Sequence, residues 1–278
     1  KEVYAFYKNR STGLELSNWV VGQVKTLIYQ VYDVVAGLCL CAETCWQYEM
    51  ADYEAHFIRP YVWMDTYHGF TTGASLKLDL LRMAAARIKR DERRIQLVKT
   101  ISLKSLDATN WSNFKTTGEL EFELNEILFA QDYPSHYRRQ VKELSLTFPG
   151  LLGPYQNICA TLVQISSATV LEPEIETVKH LHKPASAKPV EGSLVQNLRP
   201  YQQIGLSLGL DDNGAAKWAD DDRYRSFEGT GAHAKYQLTL PRHDQEGQAS
   251  LLLSLTDVIL TLVYQARDGG SDFAKAVK

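Results

Sequence analysis

The stretch LVKTISL, Leu97–Leu103, is where the chain changes period. Leu97, Lys99, Ile101 and Leu103 share one side of an extended strand, and the same two-residue alternation returns six times. It recurs at Leu120/Phe122/Leu124, Leu144/Leu146/Phe148, Thr161/Val163/Ile165, Ile204/Leu206/Leu208, Tyr236/Leu238/Leu240 and Val258/Leu260/Leu262/Tyr264. Seven short strands suit a β-sandwich. Glu119, Glu121 and Glu123 take the alternate positions of one strand, which implies antiparallel sheets wetted on one face instead of a helix-covered parallel sheet.

Upstream of Leu97 the period is helical. After a capping-box pair, Thr12 and Glu15, the residues Val20, Val24, Leu27, Val31, Val34 and Leu38 predict a long helix over roughly 14–50. A second apolar row, Ile28, Tyr32, Val35, Cys39 and Trp46, lies on a neighbouring face, so this helix should be covered on two sides. Pro60, the aromatic cluster Tyr61, Trp63, Tyr67 and Phe70, and the breakers Gly69 and Gly73 mark a turn region. Leu76, Leu80, Met83 or Ala84, and Ile88 predict a second helix running into the charged stretch Arg87–Arg94.

The fold class expected is therefore α+β, with a helical segment over 1–96 and an antiparallel β-sandwich over 97–278. A long insertion at about 170–198 interrupts the sandwich, where Pro173, Pro184 and Pro189 are expected to break any regular element. A second polar loop, Asp211–Asp222, carries Asp212, Asn213 and Gly214 and then Asp220, Asp221 and Asp222.

Composition narrows the function classes. At 278 residues, with 45 % hydrophobic and 23 % charged side chains, the chain is long enough for two filled cores. A net charge of −3 provides no long-range attraction to a phosphate backbone or an anionic membrane, which removes the usual basis for nucleic-acid binding. Four cysteines make no disulfide framework at this length; Cys39, Cys41 and Cys45 are expected to be reduced and buried. The uncharged run between Asp33 and Glu43 is short of the roughly 18 residues a membrane span needs. The opening KEVYAFYKNR has no apolar signal core, and a start at Lys1 within an amphipathic pattern is expected to lie inside a longer polypeptide.

No set of residues reads as an active site. His180 and His182 form the one close histidine pair, but a Pro-rich setting without further ligands at zinc spacing favours solvated side chains. His136, beside Tyr133, Tyr137 and Arg138, reads as local packing. Cys41 and Cys45 share a helix face, yet zinc wants four ligands and no histidine lies on that helix. Asp211, Asn213 and Gly214 begin like a calcium loop but lack the closing glutamate. Gly229 and Gly231 lack the third glycine of a dinucleotide site and read as a bulge or tight bend. Glu119, Glu121 and Glu123 face outward, where nothing separates their pKa values as glycosidase chemistry requires. No catalytic, metal or cofactor residue is assigned.

The segment DDRYRSFEGTGAHAKYQLTLP, Asp221–Pro241, resembles the C-terminal region of the A component of bacterial insecticidal toxin complexes. There an arginine-tyrosine pair precedes a phenylalanine, glutamate, glycine run and a strand ending in Leu-Pro. TGELEFELNEILFAQDYPSHYRRQVKELSLTFPGLLGPYQNICATL, Thr117–Leu162, is similar to the family's counterpart almost end to end, including the turn at 133–137 and the GPY at 153–155. SLTDVILTLVYQARDGG, Ser254–Gly270, looks like its closing strand, and LIYQVYDVVAGLCLCAE and FIRPYVWMDTYHGF match its helical approach. Ser226 stands where proline is expected, Tyr236 where tryptophan is usual, and the 170–198 insertion does not resemble a recognisable stretch of the family.

The resemblance implies the non-catalytic C-terminal portion of a secreted, pore-forming toxin subunit, without a cofactor. Five A subunits would surround a channel, with the B component docking at its entrance as a cocoon of B and C. Membrane contact would occur only through the upstream channel. For docking, the loop bearing Trp218, Asp220, Asp221, Asp222 and Arg223 combines an aromatic anchor with charge. The alternative from another class is a lectin-like, glycan-binding sandwich, since the chain holds 5 tryptophans and 15 tyrosines.

Overall fold

The computed structural model describes residues 1–8, 13–60, 62–63, 69–90, 92–150, 158–185, 187–207, 215–216 and 225–277. In chain order the helical region holds α1 (Glu2–Lys8), α2 (Gly13–Met50) and α3 (Thr72–Lys89). Then come β1 (Ile95–Ser102), α4 (Leu103–Leu106), α5 (Ala108–Thr117), β2 (Glu119–Leu124), α6 (Glu126–Ala130), β3 (His136–Thr147) and β4 (Cys159–Val170). The last elements are α7 (Ile175–His182), β5 (Leu194–Gln196), β6 (Gln203–Ser207), β7 (Ala215–Ala216), β8 (His233–Thr239), α8 (Glu246–Ser254), β9 (Ile259–Asp268) and α9 (Gly270–Val277). Two compact units result, Lys1–Glu92 and Arg93–Lys278.

In the first unit α2 runs for 38 residues without a proline. Its buried side chains, Cys39, Glu43, Trp46 and Met50, recur at three and four residues, so one stripe is covered. The cover is α3 and the segment before it: Cys39, Ile58 and Leu76 form a small core with Tyr32, Ala36 and Leu80 against it. Two buried carboxylates tie down this cover. Glu43 accepts the Ile58 amide at 2.9 Å and also the Phe57 amide. Asp79, fully buried, binds the Arg59 guanidinium at 3.0 Å. Burial pushes the Asp79 carboxyl upward, but the hydrogen bonds and charge of Arg59, with Arg82, hold it below the usual range.

Two expectations for α2 need correcting. Cys39 is buried, whereas Cys41 and Cys45 are exposed, because among the described residues one stripe of the helix is covered and theirs is not. The helix also meets the length and composition of a membrane span, with an 18-residue window of mean hydropathy 1.4. The isolated charges Lys25 and Asp33 interrupt the uncharged run while leaving the mean apolar.

In the second unit two antiparallel sheets share one core, which bears out the α+β class. One sheet has the order β1-β9-β3-β7 and the other β2-β8-β4-β5, with β6 also on β4. Ile101, Val141, Leu146, Leu260 and Leu262 of the first sheet meet Leu120, Phe122, Leu162, Tyr236 and Leu238 of the second. Such a paired apolar face is the main driving force for the fold. Each of the seven alternating segments falls on a strand among the described residues, although Leu103 already opens α4, and the Glu119, Glu121 and Glu123 face is exposed. β3 begins well before the alternation does, since Tyr137, Arg138, Arg139, Gln140 and Val141 are all buried and leave no polar face to alternate with.

The insertion is more ordered than its prolines imply. Pro173 precedes α7 and Pro184 follows it, so they bound a helix instead of breaking one. Between β1 and β2, Asp107 caps α5 by accepting the Thr109 and Asn110 amides, and Gly118 ends it at φ 69°.

Gly229 and Gly231 do form a tight bend. Gly229 adopts φ +79°, donating its amide to the Val141 carbonyl, and Gly231 bridges to Gln140. A Cβ on Gly231 would lie 2.0 Å from the Ala168 carbonyl oxygen. Gly231→Ala is therefore expected to destabilise the sandwich by about 2–3 kcal/mol, read by urea denaturation, because the obstacle is backbone that cannot rotate away.

Candidate functional site

The loop chosen from sequence, Trp218, Asp220, Asp221, Asp222 and Arg223, lies outside the described residues, as do Gly153, Pro154 and Tyr155. What is described is its flanks. Before it, β7 pairs with the end of β3, Ala216 with Leu146 and Ala215 with Thr147. After it, the segment from Arg225 enters the core: Phe227, at φ 67° and fully buried, packs edge-on against Tyr236 with centroids 5.7 Å apart. Thr230 lies between the sheets, its carbonyl accepting the Val141 amide at 2.8 Å and its hydroxyl accepting from Gln164 at 3.1 Å. The Phe-Glu-Gly run thus serves as an inter-sheet clamp.

The second motif, Tyr133–Arg139, builds a polar centre. A bulge in β3 between Tyr137 and Gln140, with Arg138 at φ 50°, turns Arg139 inward. Arg139 forms a buried ion pair with Glu126 of α6, donates to the Tyr133 carbonyl at 2.9 Å and lies over the Phe129 ring. Burial pulls its pKa down to about 10, with Tyr264 opposing, so it remains a cation at neutral pH. His136 stacks on Tyr133 with centroids 5.0 Å apart, the packing role expected of it.

Beside this centre lies a cleft of about 590 Å³. α7 contributes His180 and His182, β8 His233, β2 Glu123, and β4 Ser166 and Ser167. The histidine pair expected in a solvated loop is therefore on a helix end facing a third histidine. Sequence reasoning missed this because His233 is far along the chain from His182, joined to it only by the fold. His233 Nδ1 accepts the Glu126 amide at 3.1 Å, which puts the ring proton on Nε2, 3.9 Å from Glu123 Oε1. In that tautomer it offers neither a lone pair to a metal nor a base to Ser166 or Ser167. Among the described residues no group of three metal-ligating side chains occurs. Nor, among them, does any Trp, Tyr or Phe line the cleft, so they give it no platform for a sugar ring.

The most extensive unusual surface is on α2. Val20, Val24, Leu27, Val31, Val34 and Leu38 are all exposed, with Leu27 at 60 % and Leu38 at 64 %. Cys41 and Cys45, also exposed, continue the same spacing. Steps of four and three residues make a straight apolar seam of the kind that coiled helices bury.

The family model for the Tc toxin complex TcA C-terminal TcB-binding domain matches residues 1–266. Toxin subunit YenA2 of Yersinia entomophaga is 35 % identical over 278 residues, covering 98 % of this chain and 20 % of that protein. The chain thus spans about a fifth of that relative's length. Among solved structures, Morganella morganii TcdA4 aligns over 89 % of this chain and 11 % of its own at TM-score 0.63 and 24 % identity. Yersinia pseudotuberculosis TcaA-TcaB aligns over 96 % and 15 % at TM-score 0.66 and 22 % identity. Both share the fold.

The buried ion pair sets a direct test. Arg139→Ala leaves Glu126 charged and unpaired in the core, and urea denaturation is expected to register a loss of about 3–5 kcal/mol. The joint change Glu126→Leu with Arg139→Met, which removes both charges, is expected to recover most of that loss.

Proposed function

The chain belongs to the TcA C-terminal TcB-binding domain family of toxin complexes, and on that premise we propose that it receives the B component at the entrance of a translocation channel. It does so without catalysis, as part of a secreted, pore-forming A subunit. The α2 helix assembles with the same helix of other copies, five in all, around the channel. The sandwich presents the docking surface to the B component, carried as a B–C cocoon, and the membrane is met only through the channel upstream.

The observation that carries this reading is the exposed seam from Val20 to Leu38. A surface of this length is covered either by lipid or by protein. Asp33 sits near the middle of the helix, close to Gln30 and Tyr32, and a carboxylate at bilayer depth costs several kcal/mol. Helices of other copies satisfy the seam more readily. They bury the apolar stripe and leave Asp33 an aqueous or paired position. The loop Trp218–Arg223 remains the proposed docking element, offering an aromatic anchor beside three carboxylates.

A pull-down of the chain with a toxin-complex B component tests this. The native chain is expected to retain the B component. The triple variant Asp220→Lys, Asp221→Lys, Asp222→Lys should weaken retention at least tenfold, on the order of 1.4 kcal/mol. Failure of the native chain to bind, under conditions where it self-associates, would overturn the docking role. Undiminished binding by the variant would remove only the loop from it.

A further inference from the structure

The described residues between Leu171 and Asn197 leave β4, form α7 and return as β5 to pair with the end of β4, a strap held by two unlike kinds of contact. One is apolar: Val178 packs with Tyr137, Val170 and Phe273, with Leu181 and Leu194 against them. The other is polar, where the end of α7 closes over the histidine cleft. Hydrogen bonds join the strap to itself and to β4, with Leu171 N to Ser193 O at 2.7 Å and Asn197 N to Ser167 O at 2.7 Å.

We propose that this segment is an acid-released strap, opened from the sheet when His182 and His233 become protonated. The closed geometry is built for neutral rings. His233 Nδ1 accepts the Glu126 amide hydrogen, a role that ends once that nitrogen carries its own proton and two donors face each other. His182 Nδ1 is buried with no hydrogen-bond partner among the described residues, so a protonated ring there would be a cation with an unsatisfied donor. His180 differs. Its Nδ1 donates to the Ala187 carbonyl at 2.9 Å, a bond that survives protonation of the other nitrogen.

The surroundings add charge of the wrong sign. Of the elements packed around the two rings, β8 and α7 bring the rings themselves and His180, while β3 and α6 bring Arg139 and Glu126 as one buried ion pair, of which Arg139 acts on His182. Lys183 follows α7 directly. β4 and the end of β5 bring only the neutral Ser166, Ser167, Gln196 and Asn197. α9 carries Asp272 and Lys275, which pair with each other. Among the described residues, β2 brings the single counterweight, Glu123, half exposed and 3.9 Å from His233 Nε2. Lys235 of β8 is occupied by Glu121 at 2.7 Å.

Burial, and then Arg139, pull His182 below its ordinary value of 6.5. Burial likewise lowers His233, with Glu123 opposing and His182 adding to the effect. A folded pKa below the unfolded one means that the closed state binds fewer protons. Its stabilisation is complete above the ordinary histidine pKa and is lost as pH falls through that value. Release would uncover the cluster around Tyr137 and Phe273 and free the β4 edge at Ala168–Val170, which β5 covers. The strap does not depend on the docking role and stands or falls separately.

Hydrogen exchange at about pH 7.5 and about pH 5.5, either side of the ordinary histidine pKa and corrected for intrinsic rates, is the test. The amides of Leu171, Lys183 and Val190 are expected to lose at least roughly tenfold protection at the lower pH, while the β1–β9 ladder keeps its own. In the double variant His182→Gln/His233→Asn, the introduced asparagine carboxamide still offers an oxygen to the Glu126 amide, and that loss is expected to vanish. Unchanged strap protection in the native chain at the lower pH, or equal loss across strap and ladder, overturns the proposal. So does an equal loss in the double variant. Should the double variant lack ladder protection at the higher pH, His182→Gln alone decides: its Nδ1 has no hydrogen bond to sacrifice among the described residues, so a loss smaller than the native one supports the strap and an equal loss overturns it.

Discussion

A helix of 38 residues carrying apolar side chains on more than one stripe does not rest in water alone, and that constraint organises the molecule. The chain answers half of it. α3 and the segment before it cover the stripe from Tyr32 to Met50, tied down by the carboxylates Glu43 and Asp79. The other seam, from Val20 to Leu38, is left open over six residues at coiled-coil spacing. Apolar burial at roughly 25 cal/mol per Å² makes an uncovered seam of this length a strong drive to associate.

The sandwich solves a different problem. Two sheets with a shared apolar core also bury polar groups, and several of those groups find their partners at a specific irregularity. The β3 bulge at Arg138 aims Arg139 at Glu126 and the Tyr133 carbonyl. The bend at Phe227–Gly231 sends Thr230 between the sheets to meet Gln164 and Val141. Both irregularities fall in segments by which the chain resembles its family, so those segments encode inter-sheet joints more than a docking surface. In the proposed reading, docking falls to loops that such joints flank.

Much of this was legible in the sequence where one face is wet and the other dry. The alternations at 120–124 and 258–264 read directly as β2 and β9, and the spacing from Val20 to Leu38 read as a helix needing partners. Legibility failed where both faces are buried, as in the first half of β3, and where an element is only two or three turns long. α5 was signalled by Asp107 and Gly118, a cap at each end, and α7 by Pro173 and Pro184 at its flanks. The histidine cleft had no local signal, because β2, β4, α7 and β8 bring its walls together from across the chain. The thiols at 41 and 45 were misjudged because burial was inferred for a helix covered on two sides, and the described residues leave their face exposed.

Those same thiols allow the central claim, that the open seam of α2 is buried between copies of this helix, to be measured directly. Cys41 and Cys45 continue the seam, while Cys159 is exposed on the sandwich and Cys39 is buried within the chain. Alkylation rates of the individual cysteines, followed by mass spectrometry in the self-associated protein, give both an open and a closed reference. With the seam buried between copies, Cys41 and Cys45 are predicted to react at least roughly tenfold more slowly than Cys159, and Leu27→Asp/Val34→Asp to bring them up to its rate. Rates for Cys41 and Cys45 equal to that of Cys159 in the associated native protein would contradict that burial.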